Sequence, residues 1–216
     1  MPVVFNGINS TASGALAVTL QFNLTAAAGD ILLVYASNSQ ARSVSAVAYN
    51  SVALTRLTGV ANVTNNLEIW ALTAPNAGTL TLSANFVRSA DWILTGMTYS
   101  NVKAVGPFGT VAIGSAAAGL TANQSASSTT TDLVVFNFIA ASGGMPVFNN
   151  GTSRLSKSNG ATNCMIAMDI AGAPSITASA TDAAAVVWLM TGVPLVFSAA
   201  AAGAALRFQM LTGCGR

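Results

Sequence analysis

Residues 66–75, NLEIWALTAP, alternate between two faces in the manner of a β-strand. Leu67, Ile69 and Ala71 point one way, and the residues between them point the other way, which is the period-two pattern of extended chain. Pro75 ends the run because it has no N–H to donate to a strand ladder. The pattern therefore predicts a strand that stops at a turn, and we expect the rest of the chain to form a sheet around it.

Short runs of the same kind recur along the chain, with turn residues between them. The other predicted strands cover residues 3–5, 17–24, 30–36, 44–49, 52–57, 79–86, 91–99, 120–127, 132–140, 164–170, 175–180 and 184–190. Residues 30–36 are almost continuously apolar, which is typical of a strand that is buried on both faces. No segment combines a 3.6-residue apolar period with helix caps. This arrangement predicts an all-β fold, an antiparallel β-sandwich.

We expect one sandwich domain over residues 29–193. An N-terminal arm with the first strands precedes it (residues 1–28), and a C-terminal tail for contact between subunits follows it (residues 194–216). Residues 183–206 carry no charge and are long enough to cross a bilayer. Gly and Pro interrupt this stretch and Ala drives insertion weakly, so we interpret it as a last core strand followed by a tail.

Charged residues make up only 6% of the 216 residues, with 8 Lys and Arg against 6 Asp and Glu. An ordinary soluble domain has about 25%. A surface covered by uncharged polar and small residues does little to repel neighbours, so we expect copies of the chain to associate. A net charge of +2 without a basic cluster argues against a nucleic-acid partner.

Catalytic chemistry has few usable groups in this chain. The absence of histidine and the presence of only two cysteines exclude a Ser-His-Asp triad and the usual zinc sites. Asp30, Asp91 and Asp132 each begin a predicted strand, where a carboxylate that caps a turn is the ordinary explanation. We therefore expect no enzymatic activity, no cofactor and no metal.

Two groups of residues are candidate glycan contacts. Glu68 and Trp70 share one face of their strand, and a carboxylate beside an indole could hold a sugar. Core packing is the commoner role of a strand tryptophan, and we favour it here. Asn149 and Asn150 in a Gly- and Asn-rich loop form the second group.

Cys164 and Cys214 leave three states open. A bridge within the chain would fasten the tail to the domain, and a bridge between subunits would lock an assembly. Two free thiols are the expectation in a reducing cytoplasm. Residues 1–5 have no basic leader, and Asn6-Gly7 interrupts the apolar run too early for a signal peptide. Two routes therefore stay open: export without a Sec signal to the cell surface or the extracellular space, or assembly into a virion in the host cytoplasm, which we expect.

The order of these motifs resembles a broad family of jelly-roll-like β-sandwich domains found in bacteriophage virion proteins and secreted bacterial surface proteins. The similar stretches are Gly29-Asp30 before a buried strand, the hairpin of residues 44–55, the strand of residues 66–75, and residues 99–110 with their PFGT. The chain departs from the family at Ser51, where a glycine is usual, and at Asn101 and Lys103. The family's motifs are structural, so the resemblance implies a fold and no catalytic residues.

The resulting hypothesis is a non-enzymatic structural protein of a virion: a head decoration, fibre, spike or tail protein that contacts copies of itself and other virion proteins. We expect its assembly contacts in the arm, residues 2–8, and in the tail, where one strand could add to the exposed sheet edge of a neighbour. The apolar anchors of the tail would be Phe197, Leu206, Phe208, Met210 and Leu211. The alternatives are a carbohydrate-binding module for attachment to host surface glycans and a subunit of a self-polymerising extracellular filament.

Overall fold

The computed structural model describes residues 2–13, 16–141, 144–160 and 163–198. These residues form an all-β protein with antiparallel sheets and no helix. The strands are β1 Val4–Ala12, β2 Ala17–Ala26, β3 Ile31–Asn38, β4 Val44–Tyr49, β5 Val52–Ala53, β6 Thr55–Ala61, β7 Asn66–Thr73, β8 Gly78–Ala90, β9 Trp92–Ser100, β10 Ala112–Ala126, β11 Leu133–Ala140, β12 Val147–Phe148, β13 Thr152–Ser158, β14 Cys164–Ala171 and β15 Ile176–Leu195. The predicted fold class is confirmed.

The strands form three sheets. The five-stranded sheet has the order β1-β9-β3-β7-β6, and the four-stranded sheet has the order β2-β8-β4-β5. The six-stranded sheet has the order β10-β15-β11-β14-β13, with the short β12 also paired to β15. The five-stranded sheet lies in the middle, because one of its faces packs on each of the other two sheets.

β3 shows how the sequence produces this layering. Leu33 and Tyr35 belong to the core shared with the six-stranded sheet, whereas Leu32 and Val34 belong to the core shared with the four-stranded sheet. Every residue of β3 is buried. The apolar run therefore reflects burial on both faces, as the sequence predicts. A third core is enclosed by strands of the six-stranded sheet alone. In it, Phe136 and Trp188 pack against residues of the first half of β15.

The two halves of the chain repeat one strand arrangement. The order β1-β9-β3-β7-β6 of the first half corresponds to β10-β15-β11-β14-β13 of the second half. In the second half, the single long strand β10 occupies the positions of both β1 and β2, and the single long strand β15 occupies those of both β8 and β9. Each of these long strands bends at register shifts, which lie between Ala116 and Thr121 on β10. The molecule therefore consists of two sandwiches that are packed against each other through the first core.

Equivalent positions in the halves carry equivalent residues. Gly96 pairs with Val34 on β3, and Gly192 pairs with Phe136 on β11. A Cβ on Gly96 would come within 2.8 Å of the Leu24 side chain, and one on Gly192 within 2.8 Å of the Phe136 ring. A larger residue at either position would force a neighbouring side chain to move, because that side chain fills the space that a Cβ would occupy.

Several element boundaries differ from the predictions. Residues 175–180 and 184–190, predicted as two strands, form the single strand β15, because no Gly or Pro separates them. Residues 120–127 form the end of the much longer β10. The strands β12 and β13 were not predicted from the sequence. Residues 2–8, predicted as an arm, lie mostly in β1, which is hydrogen-bonded to β9 of the same chain.

The predicted tail also begins inside the sandwich. Pro194 and Leu195 belong to β15, Leu195 is fully buried, and Phe197 forms a bridge with Val102. The predicted tail anchors beyond it, Leu206, Phe208, Met210 and Leu211, lie outside the described residues. No helix among the described residues is long and apolar enough to span a membrane.

Candidate assembly surface

Glu68 and Trp70 lie in the interior and do not form a glycan site. Glu68 is 1% exposed and Trp70 is 8% exposed. The Glu68 carboxylate accepts hydrogen bonds from Arg56 Nε at 2.9 Å, Val44 N at 3.1 Å and Asn66 Nδ2 at 2.9 Å. The glycan prediction for this pair is therefore corrected, and the alternative of core packing describes Trp70.

Asn149 and Asn150 are exposed but are tied to β15. Asn149 Nδ2 donates to Ser179 Oγ and to Thr181 Oγ1, both at 2.9 Å, and Asn150 Nδ2 donates to Thr177 O at 2.8 Å. These amides therefore hold the loop against the sheet. The hydrogen bonds they make within the chain account for their presence without a ligand.

Cys164 is buried at the start of β14. Its thiol donates to the carbonyl oxygen of Gly144 at 2.7 Å, and burial raises its pKa. A raised pKa keeps the sulfur protonated and therefore unreactive at neutral pH, which favours the thiol state for this residue. Cys214, with which a bridge was one of the three open states, lies outside the described residues.

Asp30 and Asp132 close the turns that precede the equivalent strands β3 and β11. Asp30 Oδ2 accepts from Ala27 N at 2.9 Å, and Asp132 Oδ2 accepts from Thr129 N at 3.0 Å. Their interpretation as turn carboxylates is thus supported by geometry. Within the described ranges, no three His, Cys, Asp or Glu side chains are grouped as a metal site would require.

Asp132 has a second role at the exit of the sandwich. Its Oδ1 accepts from Phe197 N at 2.8 Å, which holds the chain where it leaves β15. Burial alone would raise the pKa of this carboxyl, but the hydrogen bonds from Phe197, Thr129 and Ser128 outweigh burial and lower it below its ordinary value.

β10 is the longest uncharged sheet edge in the described structure. It runs over 15 residues, AIGSAAAGLTANQSA, and none of them is charged or proline. It pairs with β15 and with no other strand among the residues that the structure describes. Ile113 is 50% exposed and Leu120 is 54% exposed along it. A long, uncharged edge with free N–H and C=O groups is a template for a further strand.

The opposite edges of the sheets carry charge and irregularity. At β13, Arg154 Nε contacts Asp169 Oδ2 at 2.6 Å, Lys157 follows, and the register shifts between Ser153 and Leu155. At β6, Arg56 pairs with Glu68 and the register shifts in the same way. Charge at an edge strand discourages strand addition; β10 shares the register shifts, between Ala116 and Thr121, but not the charge. The four-stranded sheet ends in β5, which has only two residues.

The edge formed by β1 and β2 is uncharged but partly covered. The guanidinium of Arg154 lies 4.3 Å from the centre of the Phe5 ring, and β1 shifts register between Phe5 and Gly7. A groove of about 580 Å³ opens between the two strands, lined in part by Asn9, Asn23 and Thr25. Because Arg154 covers part of this edge and β1 has nine residues against the 15 of β10, it is a weaker template than β10.

The uncharged edges lie on opposite sides of the molecule. β10 contacts β6, whereas β1 contacts β13, because the two sandwiches pack in opposite directions. The sequence pattern predicts a strand only over residues 120–127, so the first half of the β10 edge was not expected. The sequence feature that points to an uncharged edge here is the absence of charged residues over residues 104–131.

Comparisons of this chain with protein-family models, with curated proteins and with solved structures find no match. The sheet edges and the groove are therefore interpreted from their own geometry.

Proposed function

We propose that this protein is a non-enzymatic structural subunit that assembles by adding a strand to the edge of β10. The observation that carries the proposal is the contrast between this uncharged edge and the charged edges β6 and β13. Sheets normally carry charge, bulges or short strands at every accessible edge. β10 has register shifts of its own between Ala116 and Thr121, but it carries no charge and is long, so its regular first part is suited to a partner strand.

The paucity of surface charge supports the same function. Five of the six carboxylates are buried, namely Asp30, Glu68, Asp132, Asp169 and Asp182. Copies that approach each other therefore meet little electrostatic repulsion from acidic groups. Each backbone hydrogen bond gained at the edge contributes about 1 kcal/mol net, and burying the remaining exposed half of Ile113 and of Leu120 adds about 1 kcal/mol for each side chain.

Substitution of the two exposed apolar residues of β10 tests the proposal. We expect Ile113→Lys combined with Leu120→Lys to abolish self-association, because the incoming strand would have to desolvate two ammonium groups. Sedimentation velocity over a range of concentrations measures this. The matched control is Thr55→Lys combined with Ser156→Lys on β6 and β13, which should associate like the unmodified protein. Unchanged association of the β10 variant would overturn the proposal.

We propose further that the assembly is a bacteriophage virion surface, as head decoration, fibre, spike or tail protein. The resemblance of residues 29–193 to virion sandwich domains supports this assignment. Electron microscopy of particles with this protein labelled should place it on the virion. Purified protein that forms long fibres alone, with no label on any particle, would instead favour the extracellular filament.

A second candidate function is carbohydrate binding in the groove between β1 and β2. The observation that favours it is a groove of about 580 Å³ whose lining includes the polar residues Asn9, Asn23 and Thr25. Glycan-array binding that Asn23→Arg abolishes, and that the control Asn149→Arg outside the groove leaves intact, would support this function. An absence of binding to any glycan would dismiss it.

A further inference from the structure

We infer that the strand added to β10 is residues 205–211, contributed by a neighbouring copy of the chain. The inference rests on the proposed function, because it names the segment that occupies the β10 edge. Pairing two sheet edges alone buries little apolar surface, whereas stable interfaces bury at least about 1,000 Å². A strand that brings its own apolar side chains supplies the missing area.

The sequence ALRFQML at residues 205–211 has the required pattern. Leu206, Phe208 and Met210 alternate with Arg207 and Gln209, so an extended conformation places three large apolar side chains on one face. The segment contains no Gly, Pro or acidic residue, and glycines at 203 and 213 bracket it. It therefore has the composition of a strand with one apolar face.

The acceptor has a matching surface. The first part of β10, residues 112–116, pairs with β15 in unbroken register, so its outer side can accept a straight strand. Ile113 is half exposed there. Val60 on the adjacent β6 is only partly buried at the rim of the first core. An incoming apolar face can cover both side chains.

The position of the chain exit favours a neighbour over the same copy. Leu195 pairs with Phe108 and Phe197 pairs with Val102, both antiparallel, so the chain leaves β15 in the direction away from β10. Residues 199–204 span at most about 20 Å. A return to the edge of its own β10 would give a parallel pair, which is less stable per residue than the antiparallel pair that a neighbour permits.

The first test compares two full-length variants with the same added charge. Phe208→Asp puts a carboxylate on the apolar face, and we expect it to weaken association at least tenfold in sedimentation equilibrium. Gln209→Asp puts the same carboxylate on the opposite face and should change association less than threefold. If Phe208→Asp associates normally while the β10 lysine variant does not, the tail is not the added strand but the proposed function stands.

The second test is complementation between defective copies. The Phe208→Asp protein has an intact β10 edge, and the Ile113→Lys, Leu120→Lys protein has an intact tail. We expect each to be monomeric alone and the mixture to form a 1:1 heterodimer in native mass spectrometry, because one tail fits one edge. A mixture that stays monomeric would overturn donation between copies.

Discussion

The two edges of the six-stranded sheet differ in the features that control strand pairing. β10 has 15 residues without a charge, whereas β13 has seven residues, of which two are basic. Arg154 on β13 also forms an ion pair with the buried Asp169 and lies over the Phe5 ring. Since both strands belong to one sheet, the difference in charge is one of side chains, and it makes β10 the edge of this sheet that is better suited to strand pairing.

In the first half of the chain, the edge that corresponds to β13 is β6, and its ion pair is placed differently. Arg56 on β6 pairs with Glu68, but Glu68 and Asp169 do not occupy equivalent positions. Glu68 pairs with Ala36 on β3, and Asp169 pairs with Val135 on β11, so the two carboxylates face different cores. Both sandwiches nevertheless have an Arg–carboxylate pair at the edge opposite their uncharged strands.

The largest expected effect comes from Arg154→Ala. The Asp169 side chain is 4% exposed, and removal of its partner leaves a buried carboxylate uncompensated, so we expect a loss of about 3 kcal/mol in the free energy of unfolding. Urea denaturation measures it. The control is Arg56→Ala, which should cost about 1 kcal/mol because Arg56 is half exposed and Glu68 keeps its bonds to Val44 and Asn66. Equal losses in the two variants would contradict this account.

A somewhat smaller effect is expected from Asp132→Asn, which weakens the hydrogen bonds that hold the exit of β15. Loss of the charge should cost about 2 kcal/mol of unfolding free energy. Because the folded pKa of Asp132 is lowered from 3.8, its contribution is present at neutral pH and is lost as the pH falls below 3.8 towards the folded pKa. The Asn variant should therefore show a shallower decline of stability in acid. An identical acid profile in the two proteins would show that Asp132 contributes nothing.

Lys157→Thr should sharpen the comparison between the edges with a modest effect. It removes a charge from β13 without disturbing the Arg154 ion pair. We expect association to tighten by only a few-fold, because the register shift and Arg154 still discourage pairing. Sedimentation equilibrium beside the unmodified protein measures the change. Weaker association in the variant would mean that Lys157 is itself part of the interface.

The smallest effect is expected from salt. Exposed ion pairs weaken as ionic strength rises, but β10 has no charge, so association should change less than about twofold between low and high salt. Light scattering across a sodium chloride series tests this. A steep loss of association with salt would assign the interface to charged residues instead.

Much of the fold could be predicted from local pattern. The alternation at residues 66–75 and the apolar run at 30–36 each depend on the strand's own faces, and both became interior strands as expected. The internal repeat was also visible in principle. WILTG at residues 92–96 and WLMTG at 188–192 occupy equivalent positions of the two halves, and self-similarity of this kind is the sequence signal of a repeat.

Other features depend on contacts between distant residues. The bend of β10 and β15 follows from register shifts around Gly119, which no local pattern specifies. The burial of Glu68 depends on Arg56 and on the backbone of Val44, which lie outside its strand, so the strand's own pattern could not decide between the sugar contact and the favoured core packing. Whether β10 has an unpaired edge likewise depends on the order of the strands in the sheet, which is set by pairing between distant segments.

Hydrogen–deuterium exchange of the full-length protein, compared between dilute and concentrated solution, tests the central claim most directly. On association, backbone amides in the first part of β10, residues 112–116, should exchange more slowly because a strand from a neighbour pairs with this part, while the amides of Thr152–Ser158 should exchange at an unchanged rate. Slower exchange in β13 with no change in β10 would contradict the account.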